Sequence, residues 1–97
     1  MKIKKKDSEE FRPDETSVVR EYILDDSDLS VEVVDIDGTH EVDPDSEETV
    51  YYTLEGEGHI HLSNRIIEME KGDLVHLNRQ KHTLEGDLTV LKVKRSG

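Results

Sequence analysis

Short runs of alternating apolar and polar residues follow one another along most of this chain: SVVREYIL, LSVEVVDI, ETVYYTL, HIHL, RIIEME, LVHL, HTL and LTVLKVK. Period-two alternation puts successive side chains on opposite faces of a strand, and the β-branched content of runs this short favours strand over helix. Between them lie DDSD, DGT, EGEG, SN, KGD, NRQK and EGD, rich in residues that favour turns. The pattern predicts about eight or nine short strands and a sandwich or barrel in which each strand buries one face. Nowhere do apolar residues recur at i, i+3, i+4 and i+7 over the ~10 residues a helix needs, so the expected fold class is all-β.

The start of the chain stands apart from this pattern. KIKKK is either a short edge strand whose lysines discourage further pairing or a loose arm. Asp7 to Thr16, DSEEFRPDET, is expected to be a surface loop with Phe11 as an anchor. Residues 1–16 are therefore an arm or edge strand plus loop, ahead of a single barrel domain over 17–97.

Ninety-seven residues leave room for one core. With 32% hydrophobic and 38% charged residues, composition alone leans toward disorder, but the ordered alternation argues for a folded domain with a charged exterior. The formal net charge is −11, from 24 acids against 13 Lys plus Arg, and a phosphate backbone would be repelled, which excludes nucleic acid as a partner. Without cysteine there are no disulfides, thiolates or zinc knuckles. No apolar run approaches the ~18 residues of a membrane span, and MKIKKKDSEE turns acidic where a signal peptide would turn hydrophobic. The expectation is a cytoplasmic protein without a membrane partner.

Chemistry-bearing residues are few. His59 and His61 form an H-x-H, but Ile60 and Leu62 hold the apolar phase of that strand, so alternation sends both rings outward. Tyr51 and Tyr52 are adjacent, so one faces in and one out, and the inward phenol is a hydrogen-bond donor to a ligand. His40, beside DGT, is expected on the surface, and Arg65 and Arg79 in solvent.

The order of elements resembles the small single-domain cupins of the RmlC-like superfamily. VYYTLEGEGHIHL (Val50 to Leu62) resembles the hairpin of their first motif, EMEKGDLVHL (Glu68 to Leu77) resembles the approach to their second, and HTLEGDLTVLKVK (His82 to Lys94) is similar to their closing strands. The resemblance covers Leu29 to Lys94 and implies a cupin-type double-stranded β-helix, a jelly-roll barrel. It also implies a homodimer joined across a sheet.

Cupin metal sites use two His and a Glu from the first motif and a His from the second. Counting back from Gly56, the Glu position falls on Thr49 and the H-x-H positions on Asp43 and Asp45; a bulge at Thr49 would instead place them on Glu48, Glu41 and Asp43. Either register lacks histidine, and only His82 of the second motif is retained. The first reading is therefore a degenerate or absent metal site with no cofactor, the acids forming a solvated loop around Pro44. Two alternatives stay open: a carboxylate-rich site of Asp43, Glu48 and His82 suited to Mn²⁺, Mg²⁺ or Ca²⁺, and a displaced site of His59, His61 and His82, with His76 near, suited to Zn²⁺, Ni²⁺, Cu²⁺ or Fe²⁺.

Three functions follow from these readings. The first is a non-catalytic module that binds a small polar molecule or sugar through Tyr51, Tyr52 and His82, or serves as a dimerising scaffold. A metal-dependent isomerase or oxygenase is the alternative. The third is metal-free acid–base chemistry on a sugar, with His82 and Tyr51 or Tyr52 as base and acid.

Overall fold

The alternating runs become seven antiparallel strands in a computed structural model, which describes residues 1–44 and 47–96. They are β1 (Glu9–Asp14), β2 (Ser17–Tyr22), β3 (Leu29–Val42), β4 (Glu48–His61), β5 (Ile66–Glu70), β6 (Leu74–Asn78) and β7 (His82–Arg95). Hydrogen bonding runs in the order β1-β2-β3-β7-β4-β5, and β6 pairs with the first half of β4. Among the described residues no helix is long and apolar enough to cross a membrane.

Strands β3, β4 and β7 are each 14 residues long, and the DGT, EGEG and EGD segments expected as turns lie inside them. This is why seven strands form rather than eight or nine, and why YYTLEGEG belongs to one strand instead of a hairpin. The glycines bend the strands without reversing them. Gly38 pairs with Gly86 and Gly86 with Gly58, making a row across all three. A Cβ at Gly58 would lie 2.2 Å from the Glu85 carbonyl oxygen, and one at Gly86 would lie 2.6 Å from that of Glu57. Only glycine permits so close an approach, and the row acts as a crease.

The crease folds the sheet onto itself. Tyr51 pairs with Lys92, ten residues along β7 from His82, which in a flat sheet is about 33 Å. In the folded chain Tyr51 Oη lies 2.7 Å from His82 Nε2. One wall of the resulting barrel therefore holds β2, β6 and the Tyr51–Lys92 ends of β4 and β7; the other holds β5 and the ends that carry His40, Ile60 and His82. Val19, Val34, Ile36, Tyr51, Ile60, Met69, Leu77, Leu84, Leu88 and Val90 fill the space between.

Even-numbered residues face inward along the whole of β3 and β7, but β4 changes phase. Thr49, Tyr51 and Thr53 are buried before a bulge between Thr53 and Glu55, Gly58 and Ile60 after it. His59 and His61 consequently point outward, as the apolar phase of Ile60 predicts. The bulge sits at Leu54 and not at Thr49, which keeps regular register opposite Leu77 and Lys94.

Asp7 to Thr16, expected as a loop, contributes the edge strand β1, paired with β2. Its residues are all exposed, so no alternation marks it. The KIKKK segment is not that edge; Lys5–Asp7 form a single 3-10 turn.

The crease makes a stability prediction. Gly58→Ala should cost about 3 kcal/mol or more, the upper end for overpacking against a fixed backbone. Gly72→Ala, which meets no atom within 4 Å but holds a φ of +91°, should cost about 1–2 kcal/mol from backbone strain alone. Urea unfolding of the two variants against the parent measures both, and equal or smaller loss at Gly58 would contradict the crease.

Candidate functional site in the barrel interior

Inward-facing positions at the Tyr51 end of the barrel carry polar side chains where hydrophobic ones would be ordinary. Glu32, Tyr51 and Lys92 come from adjacent strands, since β7 lies between β3 and β4 and Lys92 pairs with both Glu32 and Tyr51. All three are buried, at 6%, 0% and 5% exposure. Lys92 Nζ lies 3.8 Å from a Glu32 carboxylate oxygen and 5.8 Å from the centroid of the Tyr51 ring. The ammonium is thus held between a carboxylate and the electron-rich face of an aromatic ring, both of which offset the cost of removing it from water.

The opposite wall contributes His82, 4% exposed. Its ring meets Tyr51 edge-on, with centroids 5.4 Å apart and an interplanar angle of 79°. The hydrogen bonds assign its proton. Gln80 O lies 2.9 Å from Nδ1 and a carbonyl can only accept, so Nδ1 carries hydrogen. In the neutral ring Nε2 is then the acceptor, and the Tyr51 hydroxyl donates to it across 2.7 Å.

A cavity of about 230 Å³ is lined by two members of this array, Glu32 and Lys92, together with Phe11, Val19, His40 and Lys94 among others. Glu32 and Lys92 were not singled out from the sequence. In LSVEVVDI and LTVLKVK both phases are largely apolar, so a lone charge looks like the solvent-facing member. The usable signal was their opposite sign at positions that pair across β3 and β7.

The other sequence candidates do not join this array. Tyr52 points outward. Asp43 is exposed and lines the rim of the cavity with Glu41, and Asp45 lies outside the described residues. Glu48 is on the outer face, bound by Arg95 at 3.0 Å and His76 at 2.8 Å, and the Arg95 and His76 hydrogen bonds hold its carboxyl below the usual range. His59 and His61 lie side by side outside, rings 6.3 Å apart, with His61 Nε2 2.9 Å from Glu85. His40, expected on the surface, is buried at 8% exposure because DGT is part of β3 and leaves position 40 in the inward phase.

A divalent metal does not fit the described residues. No three of their His, Asp and Glu side chains converge to hold one. In the interior, the Glu32 carboxylate already faces an ammonium and His82 Nε2 faces a phenol.

No family model and no curated protein matches this chain in sequence. Solved structures do match in shape. Pac13 from Streptomyces, described as a unique nucleoside dehydratase, superposes with a TM-score of 0.80 at 20% identity, over 100% of this chain and 83% of that one. Mannose 6-phosphate isomerase from Bacillus subtilis gives 0.78 at 20% identity; the match takes in 90% of this chain and spans only 28% of the isomerase. Ectoine synthase from P. lautus gives 0.75 at 22% identity, over 87% of this chain and 67% of that one. These proteins share the jelly-roll barrel that the glycine crease, the strand order and the inward phase build here, and this chain is a small domain with the cupin fold.

Proposed function

We propose that this chain binds a small polar molecule in its barrel without a metal, using Tyr51, His82, Lys92 and Glu32. The observation that carries the reading is the buried 2.7 Å contact between Tyr51 Oη and His82 Nε2, beside Lys92, which lies 5.8 Å from the Tyr51 ring and itself lines the cavity. Buried polar groups cost stability unless they are satisfied, and four of them facing one interior are more than a folding core needs.

A second reading has a specific observation in its favour. With Nδ1–H given to Gln80, the pair can pass one proton between phenol and imidazole, which is the equipment of metal-free acid–base catalysis. The likeness to Pac13 supports it: that protein was solved with uridine as two Tyr-to-Phe variants and one His-to-Gln variant. Binding is the part common to both readings.

A homodimer completes the proposal. Across the outer face of the first wall, Tyr22, Val31, Val93 and Val50 form one row and Val33, Leu91, Tyr52 and Leu74 the next. Tyr52 is 39% and Leu74 62% exposed. The outer face of the opposite wall is acidic, with Asp37, Glu41, Glu57, Glu68, Glu70, Glu85 and Asp87 exposed. There the hydrogen bond with Glu68 and its charge push the Glu70 carboxyl up. In a chain of net charge −11, the apolar face is where two copies approach with least repulsion.

Three experiments test these statements. Uridine and mannose 6-phosphate, titrated against the labelled protein, are expected to shift resonances around Tyr51 and His82 with at least one of the two; Tyr51→Phe should abolish the shift while costing about 0.5–1.5 kcal/mol of stability. Stoichiometric transition metal after purification, lost in His82→Ala, would overturn the metal-free reading. Light scattering is expected to give twice the 11.2 kDa chain mass, and Tyr52→Asp with Leu74→Asp, both on exposed positions, to return a folded monomer.

A further inference from the structure

A second buried imidazole, His40, lines the cavity that Glu32 and Lys92 share. His40 sits on the inward phase of β3, its side chain 10% exposed, and lines the barrel mouth with Phe11, Glu32, Lys92 and Lys94. Its Nδ1 is engaged by the turn between β1 and β2: Ser17 Oγ lies 3.0 Å away and Asp14 Oδ2 3.2 Å. That turn is itself fixed, because Thr16 N donates to Asp14 Oδ1 at 2.9 Å and the Thr16 hydroxyl reaches the Thr39 carbonyl beside His40.

The protons in this cluster can be placed. Burial pushes the Asp14 carboxyl up, but hydrogen bonds from Ser17, His40 and Thr16 outweigh it and bring it down to about 2. At neutral pH Asp14 therefore only accepts. Ser17 donates its one proton to Asp14 Oδ1 across 2.6 Å, which leaves a Ser17 lone pair toward His40. Both neighbours of Nδ1 are acceptors, so Nδ1 carries the hydrogen and Nε2 of the neutral ring is bare. The Ser, His and Asp do not form a hydrolytic triad, since the serine proton goes to the carboxylate instead of the imidazole.

We infer that His40 is a second ligand-facing group of the barrel, a hydrogen-bond and proton acceptor at the mouth whose ring is positioned by Asp14. It selects a ligand with a hydroxyl or N–H donor at that end, while the Tyr51–His82 pair handles the interior. The inference rests on the proposal that the barrel is a small-molecule site. Glu32, Glu41, Asp43, Lys92 and Lys94 are the charged groups around the cavity, and Asp14 is the one within reach of Nδ1 among the described residues.

The test uses the full chain, isotope-labelled, at neutral pH. Long-range proton–nitrogen correlations should show His40 protonated at Nδ1 and bare at Nε2. Asp14→Ala should reverse that tautomer and leave the His82 pattern unchanged. Diethyl pyrocarbonate, mapped by mass spectrometry, should modify His40 faster than His82, whose Nε2 meets Tyr51; a histidine that only pinned the turn would be protected. Glycerol, as the hydroxyl probe, should shift His40 Nε2 before His82 Nε2. Finding Nε2–H in the parent protein, no modification of His40 while His59 and His61 react fully, or no glycerol shift overturns the inference. Failure of the barrel proposal registers separately, as a parent protein in which neither uridine nor mannose 6-phosphate shifts the Tyr51 and His82 resonances.

Discussion

Two backbones passing too close for a Cβ, at Gly86 and Gly58, with Gly38 beside them in the row and pressed by the Thr16 side chain, are the constraint on which the rest of this molecule depends. Strands of 14 residues laid flat would span more than the whole molecule, whose longest dimension is 37 Å, and would bury one face at most. Creased, each strand serves both walls, and residues distant along a strand meet across the interior. Tyr51 and His82 touch for this reason alone.

What the crease encloses is unusually polar for a domain of this size. The Glu32–Lys92 pair is not an efficient source of stability, because the cost of dehydrating two ions is of the same order as their attraction. A tightly packed apolar pair would hold the barrel at least as well. Polar groups retained in such a place point to a use other than folding, and their arrangement is coherent: acceptors and donors alternate from Gln80 through His82 to Tyr51, then an ammonium over the ring, then a carboxylate.

Much of the fold was legible in the sequence, and the site only in pieces. Alternation identified β-structure throughout, and the apolar phase of Ile60 correctly placed His59 and His61 outside. The segments that misled were those where glycine has two meanings. DGT and EGD suit a reversing turn as well as a crease, and the choice depends on whether another backbone lies alongside, which a local pattern does not contain. The same ambiguity put His40 on the surface. Tyr51 and His82 were each recognisable as candidates, but their contact is a product of the roll. β1 was missed because a strand exposed on both faces has no periodicity to detect.

The bulge at Leu54 keeps both halves of β4 in register with β7. Odd-numbered residues of β4 face inward before it and even-numbered ones after it, with Ile60 toward the core and His59 and His61 toward solvent. Thr53 pairs with Val90 and Glu55 with the next residue, Thr89, so removing Leu54 would leave Ile60 opposite Leu84 and both imidazoles outside. The spare residue absorbs a change of parity, so that Tyr51 and Ile60, nine positions apart, both reach the core while Gly58 stays opposite Gly86.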